Sequence, residues 1–258
     1  MTATLHAEWT KLRTVSGPAW LLLAVVVATV GLGAIAVVGV SCHPGRCVVD
    51  APRLSLTGVQ LGQVVVAVLA VLVVGGEYGT GMMRTTLTAM PRRTEVLAAK
   101  AATVTGLVLV AGTLAVLGSL LAGRLALPGR GLTVSNGFAP LTLADGPTLR
   151  AAVGSVLYLA LIALLSLGIA AVARDSATAI GVVLSLLFLF PILTEVVTDP
   201  VWKRHLAQLS PSGAGLSIQH TIGLDTLPIS PWGGLGVLAA WAAAALLAGA
   251  LVLRSRDA

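Results

Sequence analysis

Six long runs of apolar residues, separated by short polar stretches, make up most of this chain. A run of about 20 apolar residues forms a helix about 30 Å long, which matches the hydrocarbon thickness of a lipid bilayer. The pattern therefore predicts an all-α, polytopic membrane protein with six transmembrane helices. The predicted spans are residues 19–40, 57–76, 96–122, 149–173, 177–197 and 232–253.

An amphipathic segment, residues 5–14, precedes the first apolar run. Its apolar residues recur at spacings of four and three, so they share one face of a helix, while its charged residues point elsewhere. Such a helix lies in the plane of the membrane interface, and Gly17-Pro18 ends it before the chain enters the bilayer. The two sets are Leu5, Trp9 and Leu12, and Glu8, Lys11 and Arg13.

The composition is that of a membrane protein. Hydrophobic residues make up 57% of the chain and charged residues only 10%, whereas about 25% is usual in soluble proteins. One membrane domain over residues 1–258 is expected, with an interfacial helix at 1–18, the spans at 19–253 and a cytoplasmic tail at 254–258. The net charge of +6 comes from residues that flank the apolar runs without an aromatic platform, which favours membrane anchors over nucleic-acid binding.

The distribution of basic residues predicts the topology. One side of the predicted membrane holds nine Lys and Arg residues and the other holds seven. The nine lie in much shorter segments, where the positive-inside rule applies best. Both termini are therefore predicted to be cytoplasmic, and the predominance of Arg over Lys is typical of a GC-rich bacterial genome. The expected location is the bacterial plasma membrane.

Two cysteines, Cys42 and Cys47, bracket a Pro44-Gly45 turn after the first run. The predicted topology places them outside the cell, where disulfides persist. A disulfide, two free thiols and a Cys-His-Cys metal site are the three alternatives. A fourth metal ligand is not evident nearby.

Few polar residues lie within the runs. Gln60 and Gln63 share one helix face near the outer end of the second span, where they either line a polar passage or form interhelical hydrogen bonds. Glu195, near the outer end of the fifth span, belongs either to a solvated rim or to a substrate vestibule. Pro191 is expected to bend or interrupt the fifth span, and the carbonyl that it leaves without an N–H needs another partner.

Two further patterns concern packing. The third run carries small residues at intervals of four, which allow another helix to approach closely. The long segment 198–231 is mixed in character, so short helices that lie on or dip into the outer leaflet are expected there. The small residues are Ala111, Ala115, Ser119 and Gly123.

The segment between the second and third runs, residues 75–93, begins with glycines that permit a sharp exit from the membrane. Residues 82–89 then form one short helix before Pro91 stops it. Because this helix is tied at both ends to transmembrane spans, a force applied to it moves them. Glu77 lies where the second span ends; an ionisable group at that depth is costly, so a partner among Arg84, Arg13 and Lys11 is predicted.

At these residues the chain resembles the membrane subunits of ABC-2 type ABC transporters, especially the permeases of high-GC Gram-positive bacteria. The resemblance extends over essentially the whole length. The stretches that carry it are residues 8–14, 76–93, 211–215, 230–232 and 254–258.

The resemblance implies an interfacial elbow helix at residues 5–14, six transmembrane helices and a coupling helix within residues 80–90. It also implies a homodimer of permeases with two copies of an ATPase subunit that binds ATP and Mg²⁺, and a hydrophobic or amphipathic substrate such as a lipid, drug, antibiotic or peptide. The ATPase is expected to be another chain, because the phosphate-binding pattern Gly-x-x-x-x-Gly-Lys-Ser/Thr does not occur here. No cofactor is expected in this chain.

The same resemblance assigns roles within the coupling segment. Methionines and a leucine are candidates for apolar contacts with the ATPase, since methionine packs adaptably into grooves. The arginines would meet acidic residues or lipid phosphate; the alternative is that they are ordinary membrane anchors. Tyr78 is interpreted as an interfacial aromatic residue. The assigned residues are Glu77, Tyr78, Thr80, Met82, Met83, Arg84, Leu87, Met90, Arg92 and Arg93.

Three other classes of protein are alternatives. A membrane enzyme would need catalytic or metal-binding groups at depth, but neither His-Glu-x-x-His nor Gly-x-Ser-x-Gly occurs. A secondary transporter would need central carboxylates or paired broken helices. A non-transporting immunity or sensor subunit with a permease fold stays open, because only a transport assay distinguishes it from a pump.

Overall fold

The computed structural model describes residues 10, 16–40, 49–79, 93–132 and 141–255. Within these residues it contains helices and no strand, and six helical segments are long and apolar enough to cross a membrane. The prediction of an all-α, polytopic membrane protein is confirmed. The α-helices are α1 (Ser16–Val38), α2 (Ala51–Ser55), α3 (Val59–Gly79), α4 (Arg93–Ala126), α5 (Gly146–Ala173), α6 (Ser176–Val196), α7 (Pro200–Leu209), α8 (Pro211–Leu216) and α9 (Pro231–Ser255).

Several sequence predictions lie outside the described residues. They are the interfacial helix, the cysteine pair, the coupling segment 80–92 and the end of the tail at 256–258. The backbone of Arg93 begins α4, but its side chain is also outside the description. The residues concerned are Leu5, Glu8, Trp9, Lys11, Leu12, Arg13, Cys42, Cys47, Thr80, Met82, Met83, Arg84, Leu87, Met90 and Arg92.

The helix bounds differ from the predicted spans by a few residues at most ends. Helix α4 contains 34 residues and ends at Ala126, four residues beyond the predicted end at residue 122. At about 51 Å it is longer than the hydrocarbon is thick. A helix does not have to stop at the edge of the hydrocarbon. The second span is predicted to end at residue 76, but α3 continues to Gly79. Gly75 serves packing: a Cβ there would lie 2.4 Å from Oγ of Ser176, the first residue of α6.

Helices α3 and α5 form the centre of the bundle. In the spans that contain α3 and α5, 61% of the most apolar 18-residue stretch is buried inside the bundle. The corresponding share is 22% for α1, 17% for α6 and 22% for α9. Helix α3 packs on α5 and α1, and α9 packs along α5. The peripheral helices therefore present apolar surface to the surrounding medium, which is lipid in a membrane.

The small residues of the third span include Ser119, which contacts α1, and Gly123, where a Cβ would meet Ser55 of α2. Ala115 and Ser119 are fully buried, and Ser119 Oγ donates a 3.3 Å hydrogen bond to the carbonyl of Thr29 in α1. Such close approach allows helices to associate where the hydrophobic effect is absent. The prediction of a helix-packing surface is confirmed.

The connection between α6 and α9 contains the expected short helices. Helix α7 is capped by the preceding Asp199, whose carboxylate accepts hydrogen bonds from the N–H groups of Val201 and Trp202, and α7 has no buried residue. Helix α8 begins after Ser210 and is mostly buried against α6 and α9. Two 3₁₀ turns, Ser217–Gln219 and Leu224–Thr226, lead to α9. Thus α8 reaches back into the bundle while α7 stays on its surface.

Candidate functional site

A polar cavity of about 280 Å³ lies between α3, α6 and the segment that begins with α8. It contains several polar side chains and one arginine. We call it the polar cavity. Its lining consists of Arg53, Gln60, Gln63, Leu187, Phe188, Pro191, Ser212, Gly213, Leu216, Ser217, Gln219 and His220.

The two glutamines of α3 both line the polar cavity. Gln63 is 2% exposed, and its Oε1 accepts a hydrogen bond from the hydroxyl of Tyr158, a fully buried residue of α5. Both alternatives that the sequence leaves open therefore have a structural counterpart: Gln63 makes an interhelical hydrogen bond, and Gln60 and Gln63 share a polar lining. A continuous passage stays a prediction.

Asp50, which sequence reasoning missed, fixes one wall of the polar cavity. Its carboxylate accepts hydrogen bonds from the N–H of Thr221 at 2.6 Å, the hydroxyl of Thr221 at 2.7 Å and the N–H of Ile222 at 3.3 Å. It also accepts a 3.1 Å bond from the N–H of Arg53 as the N-cap of α2. The sequence Asp50-Ala51-Pro52 is typical of the start of a helix. The residues around Asp50 do not predict its contact with Thr221.

The charge in the polar cavity comes from Arg53. Burial, and then the neighbouring positive charge of Arg53, lower the pKa of His220, and the nearby Asp50 opposes this shift. The imidazole is therefore neutral at neutral pH, because its usual pKa is already below 7. Arg150 of α5 donates a 2.6 Å hydrogen bond to the backbone carbonyl of His220.

Ser212 completes the hydrogen bonding of α6 at Pro191. Helix α6 continues through Pro191 to Val196, so the proline does not interrupt it. Pro191 has no N–H to donate to the carbonyl of Leu187, four residues earlier, and Oγ of Ser212 donates to that carbonyl instead. The predicted need for a substitute partner is met by α8.

Replacing Ser212 by alanine is expected to destabilise the protein by about 1–3 kcal/mol, because the buried carbonyl of Leu187 loses its partner. In a Pro191→Ala background the same change should cost much less, since the N–H of Ala at 191 can bond to Leu187. Melting temperatures of the four proteins in detergent measure this difference. An equal cost of Ser212→Ala in both backgrounds would contradict the assignment.

A second polar cluster lies at the other end of α3. Nζ of Lys100 in α4 is 2.6 Å from Oε1 of Glu77, and the two side chains are 1% and 8% exposed. Glu77 is thus paired, as its depth predicts. The partner described here is Lys100, which the sequence did not suggest, and the three suggested partners lie outside the described residues.

The turn from α5 to α6 reaches the same cluster. Arg174 has φ = 58°, a left-handed conformation that ends α5, and its guanidinium lies 5.9 Å from the ring centre of Tyr78. It also donates a 3.2 Å hydrogen bond to the carbonyl of Val252 in α9. Hydrogen bonds from Thr178 lower the pKa of Asp175, which caps α6. The ends of four helices therefore meet around Glu77 and Tyr78.

A larger cavity of about 780 Å³ lies on the opposite side of α6, between α5 and α9. It carries no charged residue, and its walls are apolar apart from two hydroxyls. It therefore offers little that would orient a polar ligand. Its lining consists of Leu165, Ile169, Val172, Thr178, Gly181, Val182, Ser185, Leu186, Leu189, Phe190, Trp241, Ala244, Ala245 and Ala248.

In comparisons with known proteins, no protein-family model matches this chain and no curated protein matches it significantly. The six candidate spans make it a multi-pass membrane protein. Among the described residues, no group of three or more His, Cys, Asp or Glu side chains is placed to hold a metal ion.

Proposed function

We propose that this membrane protein is the transmembrane permease subunit of an ATP-driven exporter of the ABC-2 type. A separate ATPase subunit, present in two copies, binds ATP and Mg²⁺, and the permease works as a homodimer. Its substrate is hydrophobic or amphipathic. Both termini are cytoplasmic, so segment 80–92 faces the ATPase.

One observation carries this proposal: a single continuous helix, α3, joins the polar cavity to the base of segment 80–92. Gln63 and Glu77 lie in the same helix, fourteen residues apart, which corresponds to about 21 Å along its axis. A movement of the Glu77 end of α3 is therefore transmitted to the lining of the polar cavity.

The Glu77–Lys100 pair supplies the second part of the argument. It joins the last turns of α3 to the first turns of α4, on the two sides of segment 80–92. A protein partner that pulls on this segment would therefore move α3 and α4 together. Arg174 and Tyr78 extend the connection to α5 and α9.

Purification from the native host tests the proposal. The tagged chain, extracted in a mild detergent, is expected to carry an ATP-binding subunit identifiable by mass spectrometry, and Met82→Asp with Met83→Asp should abolish that association. The matched control is Val201→Asp with Trp202→Asp in α7, where two exposed apolar side chains lie far along the chain from segment 80–92.

Three outcomes would count against the proposal. The first is that no ATPase accompanies the wild-type chain, and the second is that the methionine and α7 variants behave alike. The third comes from Met82→Cys in a chain with Cys42→Ser and Cys47→Ser, if an impermeant maleimide labels it from outside intact cells. A stable ATPase complex that moves no compound in vesicles would instead indicate a non-transporting subunit.

A further inference from the structure

We infer that the polar cavity binds the anionic headgroup of an amphipathic molecule, with Arg53 as its charge partner. This gives the substrate class of the proposed exporter and, as a statement about transport, rests on that function. As a statement about binding it stands on the geometry of the polar cavity alone.

The polar groups of the lining are held in place by the helices behind them. Gln63, Ser212 and Gln219 are 2%, 2% and 4% exposed. Since Oε1 of Gln63 accepts from Tyr158, its amide nitrogen is the group left to donate toward the cavity. Gln219 donates a 3.0 Å hydrogen bond to Ser155 of α5. A ligand therefore meets preorganised groups, which lowers the entropic cost of binding.

Arg53 is the charged side chain in the lining of the polar cavity, so a negative ligand group is favoured there. A guanidinium offers up to five N–H donors and binds carboxylate or phosphate with two parallel hydrogen bonds. Asp50, the acidic group nearest to Arg53 along the chain, already accepts four hydrogen bonds from Arg53, Thr221 and Ile222. Glu195, one helical turn beyond Pro191, is exposed and does not line the cavity.

The size and position of the polar cavity indicate a headgroup attached to an apolar tail. A volume of about 280 Å³ is below the usual 300–1,000 Å³ of pockets that enclose a whole drug-sized ligand. The remaining walls are apolar, formed by Leu187, Phe188 and Leu216. Phe188 is 40% exposed, so the apolar wall continues toward the surface of the bundle, where a hydrocarbon tail can lie.

Dodecyl phosphate is a suitable probe, titrated by calorimetry into the purified full-length chain in a nonionic detergent. Arg53→Gln is expected to weaken its binding about 10- to 100-fold, because a hydrogen bond to a charged group contributes about 1.5–3 kcal/mol. Arg53→Lys, which keeps the charge, should retain more of the affinity. The matched control, Arg204→Gln in the exposed helix α7, should bind as the wild type does.

Two control ligands are inorganic phosphate, which has the anion without the apolar tail, and dodecyl maltoside, which has the tail without the anion. The inference is overturned if dodecyl maltoside competes as well as the phosphate amphiphile, if inorganic phosphate alone binds equally tightly, or if Arg53→Gln and Arg204→Gln lose the same affinity. A further variant, Gln60→Leu, changes another exposed lining residue and should also weaken binding.

The two proposals fail separately. If binding depends on the charge of Arg53 but no ATPase accompanies the chain, the binding site is supported and the exporter function is refuted. If an ATPase accompanies the chain but dodecyl phosphate binds equally well whatever residue stands at position 53, the exporter function is supported and the binding site is refuted.

Discussion

Replacing Lys100 by methionine is expected to destabilise the protein by about 3–5 kcal/mol, because it removes the buried ammonium group of the Glu77–Lys100 pair. Lys100 is 1% exposed and its Nζ lies 2.6 Å from the carboxylate. The measurement is the melting temperature of the purified protein in detergent, followed by size-exclusion chromatography.

Two comparisons make this prediction specific. The control Lys203→Met changes an exposed lysine of α7 and should leave the melting temperature nearly unchanged. The double variant Glu77→Gln with Lys100→Met should be more stable than Lys100→Met alone, since it removes the charges of both members of the pair. If Lys100→Met and Lys203→Met melt at the same temperature, the pair does not hold α3 to α4.

Replacing Gly234 by alanine is expected to be the most damaging single-methyl change in α9. A Cβ at this position would lie 1.9 Å from the carbonyl oxygen of Ala214 and 2.5 Å from Oγ of Ser217. Because the nearest atom belongs to the backbone of α8, a rotamer change cannot relieve the clash. Overpacking usually costs about 1–3 kcal/mol, and a contact this short places Gly234→Ala at the upper end of that range.

Gly236 in the same helix provides the matched control. A Cβ there would meet no atom within 4 Å, and alanine is favoured over glycine in a helix interior by about 1 kcal/mol. Gly236→Ala should therefore melt at or slightly above the wild-type temperature. Gly234→Ala should also weaken dodecyl phosphate binding, because α8 carries Ser212 of the polar cavity. Equal melting temperatures for the two variants would refute the close approach of α8 and α9.

The polar cavity was only partly predictable from the sequence. Gln60 and Gln63 are visible because polar side chains are rare in a run that must pass through hydrocarbon. In the sequence, Arg53 is interpreted as a charged residue that flanks a membrane span. His220 is one residue of a long connecting segment. Their proximity depends on α8 and the following turn folding back toward α3, and no periodicity in residues 198–231 encodes that path.

The glycines show a similar limit. Gly75 and Gly76 are read as the end of a span, since glycine permits sharp turns. The structure keeps Gly75 helical and uses its missing side chain to bring α3 against Ser176. A glycine that ends a helix and one that lets two helices touch look alike in sequence, because only the neighbouring element distinguishes them.

The sequence by itself determined that this chain has six membrane-spanning helices and where each of them lies. The free energy of moving a run of about 20 apolar residues from water into lipid depends on those residues alone. Only the tertiary structure decided which polar groups meet. Glu77 and Lys100 are 23 residues apart, Ser212 and Leu187 are 25 apart, and Thr221 and Asp50 are 171 apart. Such pairs form because each buried polar group needs a partner once the helices pack, and the packing depends on the shapes of all six helices together.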